Sequence, residues 1–236
     1  MSLLTIANAA QAELNLPIST TVIGNSSQTQ KQLLALCNQE GKQLADEFAW
    51  QALITEASFL TTATETQTNA TLPADFGWLV DETMFNRNTT LPVKGPINPR
   101  EWQELKAIGA TVSESRFRIR GNSLLFNPAP TAGHTVYYEY VSTRWCSDAG
   151  LTTPSSTWTL DSDVGLLPEN VITLGLIWRW KHSKGLDYAQ DFETYNMTKE
   201  RAASRQGARR KLRLDGPTSP YASRASRGNI PEGSWT

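Results

Sequence analysis

Hydrophobic residues in this chain change their repeat twice, from a helical period to the two-residue period of a strand and back again. Few folds accommodate that order. Leu3, Ile6, Ala10 and Leu14 recur at helical spacing and Pro17 follows, which predicts a short first helix. A loop rich in Ser, Thr, Asn and Gly runs to Ser27. There Ser27 or Thr29 can cap a long second helix, with Leu33, Cys37, Leu44, Phe48 and then Gln51 to Ala52 along one stripe, reaching about Leu53. From Ala57 to Ser142 the period is two. Arg116-Phe117-Arg118-Ile119-Arg120 alternates, Gly121-Asn122 makes a tight turn, and Leu124-Leu125-Phe126 returns. After the break Asn127 to Gly133 comes Thr135 to Val141, β-branched and aromatic throughout most of its length. Ser58 to Thr62 and Leu79 to Phe85 can supply further strands, and Pro99-Arg100-Glu101-Trp102 opens a short helix to about Lys106.

The helical period resumes at Pro168-Glu169, where proline and an acid both suit a first turn. Val171, Leu174, Ile177 and Trp178 predict its apolar stripe, and Gly185 its end. A last helix carries Tyr188, Phe192, Tyr195 and Ala202 on one face and runs to about Leu212 among basic residues. The fold class is therefore α+β: a helical bundle with an inserted antiparallel β module and an extended C-terminal tail. The boundaries read as 1–56 for the first part of the bundle, 57–160 for the β-rich module, 161–214 for the second part and 215–236 for the tail.

Charge is unevenly spread. From Lys199 onward nine basic residues face three acidic ones, so this end carries +6; a chain total of −1 leaves −7 for residues 1–198. Such a split favours contact between copies or with an acidic partner. Pro217 to Thr236 has too few aliphatic residues for a core of its own, so it is expected to be disordered or to order on a partner's surface. No stretch approaches the roughly 20 apolar residues of a membrane span. The richest, Val171 to Trp180, contains Arg179, and the start of the chain lacks a basic leader and carries Glu13. A soluble protein that stays where it is made is the expectation. Cys37 and Cys146 are far apart, and Cys37 falls on an apolar helix face as a small core residue.

No catalytic constellation stands out. The two histidines, His134 at a strand entrance and His182 near a helix end, are at positions that serve solvent or the helix dipole. HExxH, GxxxxGK[ST], GxSxG and CxxC patterns are missing from the sequence. Asp161-Ser162-Asp163, just ahead of a helix, reads as a loop or cap, and Asp81-Glu82 as a solvated strand edge. Of the eight tryptophans, Trp50, Trp178 and Trp180 are placed on helices, Trp102 on the short helix, and Trp78, Trp145 and Trp158 at loops or strand ends. Their main expected role is to pack helix faces and seal subunit contacts. Sugar stacking on the β module, giving a carbohydrate-binding or cell-wall-active protein, is the alternative from one other class. Duplex binding by the basic run Arg201 to Arg213 is the alternative from another.

Thr21-Val22-Ile23-Gly24-Asn25 leads into Gln32-Leu33-Leu34-Ala35-Leu36 and on to Trp50-Gln51-Ala52-Leu53. Leu72-Pro73-Ala74-Asp75-Phe76 precedes Phe85-Asn86-Arg87-Asn88-Thr89, and Pro99 to Trp102 and Arg118 to Pro130 follow. With the order of elements, these phrases resemble the head-to-tail adaptor (connector) proteins of tailed bacteriophages over nearly the whole chain. The resemblance implies a non-enzymatic virion protein of the neck, made in the host cytoplasm and needing no cofactor or metal. It implies a homo-oligomer, a dodecameric ring, docked on a portal protein and receiving a downstream tail or nozzle protein. Genomic DNA would pass through the channel without sequence-specific binding, and no membrane is involved. It also implies that the C-terminal segment grips the portal. Arg209, Arg210, Arg213, Tyr221, Arg224, Arg227 and Trp235 have the chemistry for that contact.

Overall fold

A computed structural model of the chain describes residues 2–108 and 115–206. The expected continuation of the last helix to Leu212 and the tail at 215–236 lie outside the described residues. Two helices come first, α1 (Leu3–Glu13) and α2 (Gln28–Glu47). Eleven strands follow: β1 (Ile54–Leu60), β2 (Thr66–Thr71), β3 (Phe76–Leu79), β4 (Phe85–Asn86), β5 (Leu91–Pro92), β6 (Arg116–Arg120), β7 (Ser123–Asn127), β8 (Thr135–Ser142), β9 (Cys146–Ser147), β10 (Pro154–Ser155) and β11 (Val164–Gly165). Helix α3 (Pro99–Ile108) lies between β5 and β6, and α4 (Glu169–Ser183) and α5 (Ala189–Arg205) complete the described chain. The class is α+β, as the period changes predict.

Local chemistry explains most of these elements. Ser2 caps α1 by accepting from the Thr5 amide at 3.3 Å. Asn98 does the same for α3, accepting from Glu101 at 2.9 Å, with Pro99 in the first turn. Gly121 at φ 60 turns β6 into β7, pairing Arg120 with Ser123. The second helix is shorter than its stripe suggests. It stops at Glu47, and Phe48 is extended because the Trp50 indole folds back and donates to the Leu44 carbonyl at 2.7 Å. Trp50 thus belongs to the junction and not to a helix; a single tight turn, Gln51–Leu53, leads into β1. The strand expected over Leu79 to Phe85 is divided. Val80 ends one part, where Thr83 Oγ donates to its carbonyl at 2.7 Å, and Glu82 takes a positive φ of 61° before β4 starts.

Two apolar clusters result. One is helical: Leu3, Ile6 and Ala10 of α1, Leu33, Cys37 and Leu44 of α2, and Val171, Ile172, Leu176 and Trp180 of α4. Trp145, Cys146 and Trp158, around the small sheet β10-β9-β11, join this cluster. The other lies between two sheets. Strand β8 is central to the larger, with β1 on one side and β3 and β4 on the other, β5 extending from β4. The smaller runs β2-β7-β6. Phe59, Leu79, Met84, Val136, Tyr138 and Tyr140 of the first meet Ala70, Phe117, Leu124 and Phe126 of the second.

Helix α4 is buried nearly all round, not on one stripe, because α1, α2 and α5 all pack on it. Gly175 is what lets α2 come close: a Cβ there would sit 2.3 Å from the Glu40 carboxyl carbon. Glu40, fully buried, accepts from Arg179 Nε at 2.6 Å, and Arg179 Nη2 donates to Gln43 Oε1 at 2.5 Å. Gly41, the next residue, makes room for the Trp145 ring. On α5 the buried residues are Tyr195, Lys199 and Ala203, and Lys199 donates to both Glu47 oxygens at 2.8 and 3.0 Å. Tyr188 and Phe192, expected on the buried face, are over a third exposed, since they lie where α5 swings away from α4 after Gly185.

Two measurements check this account. Arg179→Met strands a buried carboxylate and should cost about 3–5 kcal/mol of unfolding free energy in urea titration. The Glu40→Met/Arg179→Met double variant should recover most of that loss; a double variant as unstable as the single one would remove the pair from this role. The cysteine thiols give the second check. Burial, aided by Glu40 at Cys37 and by Asp163 at Cys146, pushes both up to about 12, so they stay protonated. Neither should react with a maleimide in the native protein at neutral pH, and both should react in denaturant.

Candidate assembly surfaces

The α4–α5 corner carries an aromatic face. Lys181 of α4 binds Asp191 of α5 at 2.5 Å and closes the turn between the helices. That brings Trp178 against Phe192 (ring centroids 5.0 Å apart) and Tyr195 (5.9 Å), while His182 meets Tyr188 edge-on at 4.9 Å. Tyr195 is buried, but Tyr188, Phe192, Leu186 and Met197 remain exposed, at 36%, 39%, 55% and 47%. A run of exposed aromatic and aliphatic groups on one corner is unusual on a solitary surface and suits contact with protein. Arg201 and Arg205, both exposed, continue from it toward the C-terminal segment.

The two-sheet module has two outward faces of opposite charge. On the larger sheet a groove of about 710 Å³ runs over β1, β8 and β4, lined by Glu56, Glu82, Phe85, Arg87, Tyr137 and Glu139 among others. Arg87 lies on the Tyr137 ring, 3.4 Å from its centroid, and binds Glu56 at 2.5 Å. On the smaller sheet Arg116, Arg118 and Arg120 alternate along β6 with inward Phe117 and Ile119.

The residues expected at the portal, Arg209, Arg210, Arg213, Tyr221, Arg224, Arg227 and Trp235, all lie outside the described residues. The remaining expectations can be placed. Asp161 accepts from the amides of Val22 and Ile23 at 3.0 and 2.8 Å. Asp163 holds the Thr159 and Leu160 amides and the Thr159 hydroxyl at 2.7–2.8 Å. Burial raises the Asp163 pKa, but these bonds outweigh it and hold the group below the ordinary carboxylate range. Both acids fasten a loop to the helices, as expected of them. His134 opens β8 and meets the Asn86 side chain at 3.1 Å. No group of three or more His, Cys, Asp or Glu able to hold a metal occurs among the described residues. No helix among them is long and apolar enough to cross a membrane.

Every described tryptophan is buried or half-buried. Trp145 and Trp158 meet edge-on at 5.2 Å inside the helical cluster. The one aromatic ring in the groove, Tyr137, already has Arg87 across it, so the β module offers no bare tryptophan platform for a sugar or base among the described residues.

These are surfaces for protein, not for a small substrate. A protein-family model described as SU10 adaptor protein matches residues 1–228. The chain belongs to this family. It is a family of phage head-to-tail adaptors, so the chain is a structural virion protein that works with other head and tail proteins. A search of curated proteins finds no match. The adaptor match runs through the helices, the β module and most of the basic C-terminal segment.

Sequence reasoning did not find the groove. Its residues come from three separated stretches, 56, 82–90 and 137–139, and only sheet pairing brings them together. The aromatic corner was read as core, since Tyr188 and Phe192 have the spacing of a buried stripe. Serine at Leu186 or Met197 tests its exposure in the isolated adaptor. Each change should shift unfolding free energy by no more than about 0.5 kcal/mol, the usual range for a surface site. A loss of several kcal/mol on denaturation would mean that the chain itself closes over this corner.

Proposed function

We propose that this adaptor assembles as a dodecameric ring beneath the portal, joins it to a downstream tail or nozzle protein, and leaves a channel for DNA. The observation that carries the reading is the adaptor-family match across residues 1–228, which takes in the folded body and most of the segment after α5. The geometry supports a division of labour. The helical parts, 1–56 and 161–214, supply the rigid body, with the exposed aromatic corner of α4–α5 as a contact face between copies. The β-rich module, 57–160, turns outward or toward the next tail component. Binding DNA tightly would hinder its passage; the negative charge of residues 1–198 suits a channel wall that repels it.

The C-terminal segment, 215–236, is the proposed portal strap. Tyr221 and Trp235 fill pockets, while Arg224 and Arg227 pair with portal acids; Arg209, Arg210 and Arg213 sit at its root. A strap that orders only on its partner covers a wide area with few residues and joins assembly to the presence of the portal. The free protein is then a monomer that assembles on its template.

The test is to mix purified adaptor with portal rings and image the products, alongside a chain ending at Asp215. Full-length protein should decorate the portal, and the shortened one should not. Equal docking by both would overturn the strap, and absence of rings from the full-length sample would overturn the ring.

A further inference from the structure

The register of the larger sheet contains a juxtaposition that the isolated chain does not explain. Glu56 of β1 and Glu139 of β8 are direct cross-strand partners on the outward face. Directly opposed residues have Cβ atoms about 5 Å apart, and like charges so placed oppose pairing. Arg87 answers only one of them: it binds Glu56 and stacks on Tyr137. The groove over this pair is walled by Phe85, itself 40% exposed, and also lined by Glu82. Three carboxylates and one guanidinium leave the groove at −2.

The opposite outward face has the complementary chemistry. The two sheets share one apolar cluster between them, so their outer faces point in opposite directions. On the smaller sheet Arg116, Arg118 and Arg120 lie on one face of β6, successive guanidinium-bearing residues about 6.8 Å apart along the strand. Arg116 and Arg118 are half-buried and Arg120 is exposed. No ion pair to any of them occurs among the described residues, and the Arg116 Nε finds no hydrogen-bond partner there.

From these two faces we infer that the β modules of neighbouring copies dock on one another: the β6 arginine face of one enters the Glu56–Glu139 groove of the next. The inference rests on the ring reading and deepens it by naming the contact. A patch on one side of a module that fits a different patch on the other side makes a head-to-tail interface, the kind that closes into rings. A guanidinium can bind the Glu139 carboxylate bidentately, while its planar face lies along Phe85. The occupant is a second copy because its charge and its spacing are both present on this chain; a basic segment of another virion protein is an outcome of the test.

Charge exchange tests it. Arg118→Glu and Glu139→Arg each set like charges against each other across the contact, and each should lower incorporation into portal-bound rings by about tenfold. The variant carrying both changes restores opposite charges at every contact and should assemble nearly as the unaltered protein does. Single variants that assemble normally, or a double variant no better than either single one, would overturn the docking. A basic partner from elsewhere would show as loss in Glu139→Arg alone, unrelieved in the double variant, and would equally overturn it.

A second arm needs no portal. Arg118→Cys and Glu139→Cys proteins, mixed at high concentration with a short bis-maleimide, should give the mixed cross-link in preference to either self-pair. The native thiols are buried and protonated, so they do not compete. Failure of the unaltered protein to decorate portal rings would count against the ring alone. Failure of the mixed cross-link would count against this contact alone.

Discussion

The buried pair of Glu40 and Arg179 sets the geometry on which the helical body depends. Two charges are withdrawn from water at the point where α2 and α4 cross, an arrangement that stabilises only when distance and supporting bonds are right. Gly175 gives the carboxylate its space, Gln43 takes a second guanidinium proton, and the guanidinium also lies 4.6 Å from the Trp178 ring centroid. One residue farther along α2, Gly41 receives Trp145, which arrives from the strand end beyond β8. A shift of α2 along α4 would break the ion pair and drive a tryptophan into a helix backbone together. The crossing therefore has one register, and the aromatic corner of α4–α5 takes its orientation from it.

The same crossing governs how the β module is carried. Ile54 at the start of β1 pairs with Val141 near the end of β8, and both contribute to the helical cluster. Farther along the same two strands, Phe59 and Val136 belong to the cluster between the sheets. The pair of strands spans both cores, so a load on the module reaches the helices through backbone hydrogen bonds and not through a loose hinge. A structural joint in a virion requires that kind of continuity. The charged outer faces of the module are held in fixed directions relative to the helical body by the same strands.

The chemistry of the described chain is consistent with adaptation to protein contact. Carboxylates such as Asp161 and Asp163 are spent on loop amides, the thiols are buried, and the tryptophans fill the interior or half-line the α4–α5 corner. What remains outside is an aromatic corner, an acidic groove and an arginine face. Each is incomplete by itself in a way that a second protein surface would complete. Membership in an adaptor family and these three surfaces point the same way from independent starting points.

The sequence by itself determined the elements whose pattern is local. The first helix, the Gly121-Asn122 turn, the Pro99 helix, strand β8 and the helix after Pro168 all follow from spacing, caps and turn residues, which act within a few positions. The adaptor resemblance was legible for a related reason, since it lies in the order of those elements and in short phrases along the chain. Only the tertiary structure decided where α2 stops, because the Trp50 indole that caps Leu44 is placed by packing. Tertiary packing also decided that α4 is buried all round and that Tyr188 and Phe192 face outward, since a helical stripe shows which residues share a side and not what covers it. The facing of Glu56 and Glu139 likewise needed the pairing of strands about eighty residues apart, a register that no local pattern encodes.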